Sequence, residues 1–148
     1  MLNKTHIAIG LFFMLFFLSS VVHVWTYVLV FAVAALFPNL DRFLSLKGFR
    51  FFRKTNSSNR NRGFFHSFTF CFIITFILAW FLPRMAFPFF LGYGTHLIAD
   101  SWTVEGIVPF WPLKYSSKGR IKRGGGFENM LFYSFVIADV ILVYFLFR

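Results

Sequence analysis

The chain has 148 residues, of which 58% are hydrophobic and only 14% charged, with a net charge of +10. Soluble domains carry roughly a quarter of their residues as charges, so this composition excludes an ordinary water-soluble domain. A single Cys, 10 Gly and 5 Pro exclude a disulfide scaffold, a collagen-like repeat and a disordered chain. What remains is an integral membrane protein, short enough to be one domain over residues 1–148.

The first apolar run, His6 to Phe37, has 32 residues and no formal charge. As one helix it would be about 48 Å long, well past the roughly 30 Å hydrocarbon core of a bilayer. It is expected to fold as a hairpin of two short helices that turns near Ser19-Ser20. A cleaved signal peptide is not expected, because the stretch far exceeds the apolar core of about 7–15 residues that such peptides carry. The second run, Phe64 to Leu82, stops at Pro83; the third covers Met85 to Trp102, and the fourth Asn129 to Phe147. Polar loops, Pro38 to Gly63 and Thr103 to Phe127, separate them. The expected architecture is all-α: a polytopic membrane bundle of about five helical segments, the first two a short hairpin. Cys71, alone in the second run, reads as a small buried hydrophobe.

Five segments place the N-terminus and both polar loops on one side. That side holds Lys4, Arg42, Lys47, Arg50, Arg53, Lys54, Arg60, Arg62, Lys114, Lys118, Arg120, Lys122 and Arg123, against Arg84 and Arg148 on the other. The positive-inside rule makes the loop side cytoplasmic, in the inner (plasma) membrane. Trp102, Trp111 and Tyr115 fit interfacial anchors.

The scarce acidic and imidazole groups map to segment ends. His6 opens the first segment, Asp41 follows the second, His66 opens the third, His96 and Asp100 end the fourth, and Glu128 opens the fifth. All six are expected at the cytoplasmic edge, whereas His23 falls at the opposite turn. Each alone has an ordinary explanation: Asp41 starting a turn, Glu128 favouring a helix dipole, a histidine resting at the interface. Their joint placement points to a site. His96 and Asp100 are four apart and share a helix face. Three imidazoles and three carboxylates suit a divalent metal, zinc ahead of manganese, as one or two ions. Asp139 lies about three turns beyond Glu128 on the same face, too deep to join that site and expected to point into the bundle.

The motifs Pro38-Asn39-Leu40-Asp41, Asn61-Arg62-Gly63-Phe64-Phe65-His66-Ser67 and Gly92-Tyr93-Gly94-Thr95-His96-Leu97-Ile98-Ala99-Asp100-Ser101 occur in that order. Thr103, Gly106 and Val108-Pro109-Phe110-Trp111-Pro112 follow. The set resembles the YdjM family, described as membrane-bound metal-dependent hydrolases, some of them LexA-regulated. The family pattern runs Pro-Asp-x-Asp, His-Arg-Gly-x-Thr-His-Ser and Ser-His-x-x-x-Asp, with a downstream Gly and Trp-Pro. Here Asn39 stands for the first Asp, Asn61 for the first His, and Phe65 for the Thr, while Asp41, Arg62, His66, His96 and Asp100 are kept. The order His6, Asp41, His66, His96, Asp100, Glu128 is also similar, more distantly, to the ligand series of zinc-dependent phospholipase C and the related zinc nucleases, though Gly124 replaces the late His of that series.

The resemblance implies metal-activated water attacking a phosphoester at the cytoplasmic membrane edge, with a lipid-linked substrate suited to a site at headgroup depth. His66, His96, Asp41 and Asp100 would be the main ligands, with His6 and Glu128 added. Arg62 would hold a phosphate, Asp41 or Glu128 would accept the proton of the attacking water, and Ser67 and Thr103 would orient ligands. Gly124-Gly125-Gly126, after Arg120, Lys122 and Arg123, reads first as a flexible basic loop against anionic lipid and second as a phosphate contact. The 42–62 loop, basic with Phe43, Phe49, Phe51 and Phe52 interleaved, reads as interfacial, with nucleic-acid contact the lesser reading. The competing functions are a non-catalytic membrane metal-binding or scaffold protein, and a transporter using Asp139 and the histidines as a relay. A relay needs polar groups spread through the membrane depth, and these gather at one edge.

Overall fold

The computed structural model describes residues 1–39, 66–113, 115–146 and 148. Asp41, Arg62 and the 42–62 stretch lie outside the described residues. Among the described residues the fold is all-helical. It comprises α1 (Asn3–Leu18), α2 (Val24–Leu36) with a 3-10 turn at Phe37–Asn39, α3 (Phe68–Phe81), α4 (Pro83–Ser101) and α5 (Gly126–Leu146).

The long first run breaks where expected, with Ser19 capping the end of α1 and α2 starting at Val24. Ser67 starts α3 by accepting a hydrogen bond from the Phe70 N–H on its side-chain oxygen, at 3.3 Å. Pro83 ends one helix and begins the next, since proline at a first helical position forfeits only an N–H that would have no intrahelical partner.

α4 is the central helix, with ten buried residues from Ala86 to Asp100. It runs antiparallel to α1, whose Phe17 near its end meets Phe87 near the start of α4 at a ring separation of 5.5 Å. It runs parallel to α2, with Tyr27 near Phe87 at one end and Phe37 near Tyr93 further along. Gly92 makes the α2–α4 contact close: a Cβ there would lie 2.5 Å from the Phe31 carbonyl oxygen. Ala34, Phe70, Cys71, Tyr93, Leu97 and Ile107 form the main apolar cluster, and Met1, Ile9 and Ala99 a second.

α5 packs along α1, with Lys4 donating to the Asn129 side chain at 3.2 Å and Phe12 edge-on to Phe135. Its polarity is inverted relative to a soluble helix. The buried residues of α5 are its two acids, Glu128 and Asp139, while Met130, Tyr133, Ile137, Val140, Ile141, Tyr144 and Phe145 are exposed. A helix that turns its acids inward and its large apolar side chains outward is built for lipid. At 21 residues it is long and apolar enough to cross a membrane, the one such helix among the described residues. α1, α2 and α3 are also apolar but span 16, 13 and 14 residues.

The 102–125 loop folds back over the end of α4. Ile121 and Gly119 donate to the Trp102 and Thr103 carbonyls at 3.1 and 2.9 Å, and Ile107 and Ser117 pair antiparallel. Gly119 is required there, because a Cβ would stand 1.9 Å from the Trp102 carbonyl oxygen. Phe68 at the start of α3 donates to the Pro109 carbonyl at 2.7 Å, tying α3 to the same loop.

Candidate metal centre

This alternation of helix directions brings the starts of α1, α3 and α5 and the end of α4 to one end of the molecule. His6 comes from the first turns of α1, His66 from the turn before α3, and His96 and Asp100 from the last turns of α4. The three imidazoles surround the Asp100 carboxylate, which is 5% exposed. His6 Nε2 lies 3.2 Å from Oδ1, and His66 Nε2 and His96 Nε2 each lie 3.6 Å from Oδ2. The rings are mutually close, with centroids 4.5 Å apart for His6 and His96 and 5.9 Å for His66 and His96. The Met1 amine is 3.5 Å from Oδ1.

Donor atoms of His6, His96 and Asp100 all lie within 4.8 Å of one another, a group able to hold a metal ion. Donors about 2.1 Å from a tetrahedral ion stand about 3.4 Å apart, and the imidazole-to-carboxylate distances bracket that value. A second observation concerns protons. His6 Nδ1 is 3.2 Å from the Leu2 carbonyl oxygen. A carbonyl only accepts, so Nδ1 carries a proton and donates, which leaves Nε2 as the nitrogen turned toward Asp100. That Nε2 is buried and without a hydrogen-bond partner, although a carboxylate oxygen lies close by. An imidazole nitrogen and a carboxylate oxygen at this separation can both be donors to one metal ion. The residues present therefore fit a metal ion.

Neighbouring groups hold the ligands. Thr103 donates its hydroxyl to the Asp100 main-chain carbonyl at 2.7 Å and its N–H to the same atom at 3.1 Å, closing α4 just beyond the carboxylate. Ser67 is fully buried and caps α3 one residue after His66. Glu128 reaches the same end of the bundle and is 0% exposed. Its oxygens accept backbone N–H groups, Oε1 from Leu2 at 2.5 Å and Oε2 from Gly124 at 2.6 Å. Of the six expected ligands, the structure therefore gathers His6, His66, His96 and Asp100 around one point and sets Glu128 beside them on backbone donors. Asp41, like Arg62, falls outside the described residues. The backbone of Leu2, which serves both Glu128 and His6, carries no side-chain signature that sequence reading could have caught. Gly124 has φ +74°, and only its place in a glycine run hinted at such a turn.

Asp139 is buried as expected, with Oδ1 lacking a hydrogen-bond partner, deep along α5 and away from the cluster. Trp102, Trp111 and Tyr115 are exposed, as are Lys118, Arg120, Lys122 and Arg123.

A family model described as YdjM inner membrane protein matches residues 1–146. The chain belongs to the YdjM family. Among proteins of known sequence, the uncharacterized protein YvsG of Bacillus subtilis (strain 168) is 29% identical over 124 residues, covering 79% of this chain and 78% of YvsG. No solved structure matches, and the likeness to zinc-dependent phospholipase C is not shown. YdjM membership agrees with the inverted polarity of α5 in making this a membrane protein, and the four gathered side chains are those the family motifs singled out together with His6.

Proposed function

We propose that this YdjM protein is a membrane-embedded, zinc-dependent hydrolase acting on a phosphoester, with a lipid-linked substrate reaching the site at the cytoplasmic headgroup level. The observation that carries the reading is the buried Nε2 of His6, without a hydrogen-bond partner, facing Asp100 beside two further imidazoles. His6, His66, His96 and Asp100 would hold the ion. A bound zinc supplies an acidic water, a nucleophile near neutral pH. Thr103 and Ser67 keep the carboxylate and the His66 imidazole in place. The exposed Lys118, Arg120, Lys122 and Arg123 lie on the loop folded over the end of α4 and favour an anionic substrate. Arg62 and Asp41 retain their proposed roles in phosphate binding and proton acceptance. The cytoplasmic orientation follows from the distribution of basic residues.

The test is the metal content of detergent-purified protein, by elemental mass spectrometry, for wild type beside a His96→Ala/Asp100→Ala variant of matched helical content. About one or two equivalents of zinc, lost in the variant, with phosphoester hydrolysis that tracks the zinc, is the expected result. Zinc bound without turnover of any phosphoester would favour the metal-binding scaffold, a reading prompted by Asn39 and Asn61 in place of the family's Asp and His. No metal after reconstitution would overturn both.

A further inference from the structure

We propose that Glu128 is a positioning residue that sets the His6 imidazole through the Leu2 backbone; the proposal rests on the metal reading above. Glu128 sits in the first turn of α5, fully buried, and takes the Leu2 N–H on Oε1 at 2.5 Å. Leu2 is the N-cap of α1, and no side chain of its own caps that helix. The Leu2 carbonyl in turn accepts from His6 Nδ1 at 3.2 Å, as well as from the Thr5 and His6 N–H groups. One residue thus receives the carboxylate on its N–H and holds the imidazole on its carbonyl. The second Glu128 oxygen takes the Gly124 N–H at 2.6 Å, which fixes the carboxylate to the turn that starts α5.

The physical consequence is a ligand whose direction is set from another helix. A histidine ligand needs its remote nitrogen bonded, because that bond fixes the tautomer and the ring plane. Here the bonding group is a main-chain carbonyl at a helix terminus, where chains ordinarily fray. Charge-assisted bonds from backbone N–H to carboxylate are among the stronger hydrogen bonds, and this one pins the frayed end across 126 residues of sequence. Glu128 therefore acts on the metal without touching it. Its burial also fits: a backbone N–H on each oxygen and the nearby N-terminal amine offset the cost of taking the carboxylate out of water.

Leu2→Pro breaks the link from its backbone side, as Glu128→Gln alters it from the other. Proline replaces the Leu2 N–H with a ring carbon, which ends the bond to Glu128 and pushes its carboxylate away, and Leu2 already has φ −70°, the value the proline ring imposes. Zinc affinity is measured by chelator competition on the full detergent-purified chain for wild type, Leu2→Pro, Glu128→Gln, His6→Ala and both double variants with His6→Ala. Leu2→Pro and Glu128→Gln should each weaken zinc binding about 10–100-fold at unchanged stoichiometry, the usual cost of losing a group behind a ligand. In the His6→Ala background neither should weaken it further, since the effect passes through His6. Helical content and melting temperature in the chelated state provide the control for folding. Losses that add to that of His6→Ala, or a Leu2→Pro protein with wild-type affinity, overturn the proposal. A wild type that binds no zinc overturns the metal reading and this one with it.

Discussion

At the residue scale, Asp100 is the hinge of the site. Three histidines from three separate segments converge on its two oxygens, at 3.2, 3.6 and 3.6 Å. Asp100→Asn keeps the shape but exchanges an anionic oxygen for an NH2 that faces imidazole nitrogens. It should lower zinc affinity by more than about 100-fold, beyond the range for groups that merely orient ligands, as read by chelator competition. Asp139 poses the opposite case. Its Oδ1 is buried with no hydrogen-bond partner, and an unsatisfied buried polar group costs about 1–3 kcal/mol. Asp139→Leu should therefore raise the melting temperature in detergent while leaving metal content unchanged. A fall in melting temperature would show that the carboxyl contributes to stability and that the cost of the bare Oδ1 does not dominate. His96 and Asp100 were legible as a pair because a four-residue spacing fixes a shared helix face. The bonds of Glu128 were not, since their donors are backbone groups brought together only by the fold.

At the element scale, the approach of α2 to α4 depends on a missing side chain. A methyl at Gly92 would press on the Phe31 carbonyl at 2.5 Å, and backbone atoms of a packed helix have little room to give. Gly92→Ala should destabilise by about 1–3 kcal/mol, the usual range for overpacking. Gly94, two residues on, has nothing within 4 Å of where its Cβ would be. Gly94→Ala should be neutral or stabilise by up to about 1 kcal/mol, from helix propensity alone. Thermal unfolding of the two variants in one detergent checks the contrast, and equal effects would sink it. Small residues that let helices approach closely are characteristic of bundles in lipid. The five helices and the hairpin turn were readable from apolar run lengths and from Pro83. The true starts of α3 and α5 were displaced because Ser67 caps the one, and because the other begins in the glycine run at Gly126.

At the scale of the molecule, the helices alternate in direction, so the polar ends of α1, α4 and α5 share one face and Arg84 lies at the other. Single cysteines can report this, once Cys71→Ser has removed the buried native thiol. Lys4→Cys and Lys118→Cys should resist an impermeant maleimide in intact cells and react in inverted vesicles, and Arg84→Cys should do the reverse. Lys4 and Lys118 on opposite faces would break both the alternation and the cytoplasmic placement. Because the proposed ligands come from α1, α4 and the turn before α3, zinc should also brace the whole assembly. Chelation should lower the melting temperature of the wild type and not of Asp100→Asn; at zinc about 100-fold above its dissociation constant the difference is about 2.7 kcal/mol.

The sequence by itself determined the class of this protein, its helical segments, and the end of the bundle at which its scarce polar groups gather. Those follow from composition and period, which act along the chain and need no knowledge of neighbours. The tertiary structure alone decided which of the gathered groups meet. It set His6, His66 and His96 about Asp100 and turned an imidazole nitrogen toward a carboxylate, and it gave Glu128 to the backbone of Leu2 and Gly124. Side chains at one membrane depth can stand on any side of a bundle, and only helix packing chooses among those azimuths. That choice separates a carboxylate that can ligate an ion from one that holds the residue behind a ligand.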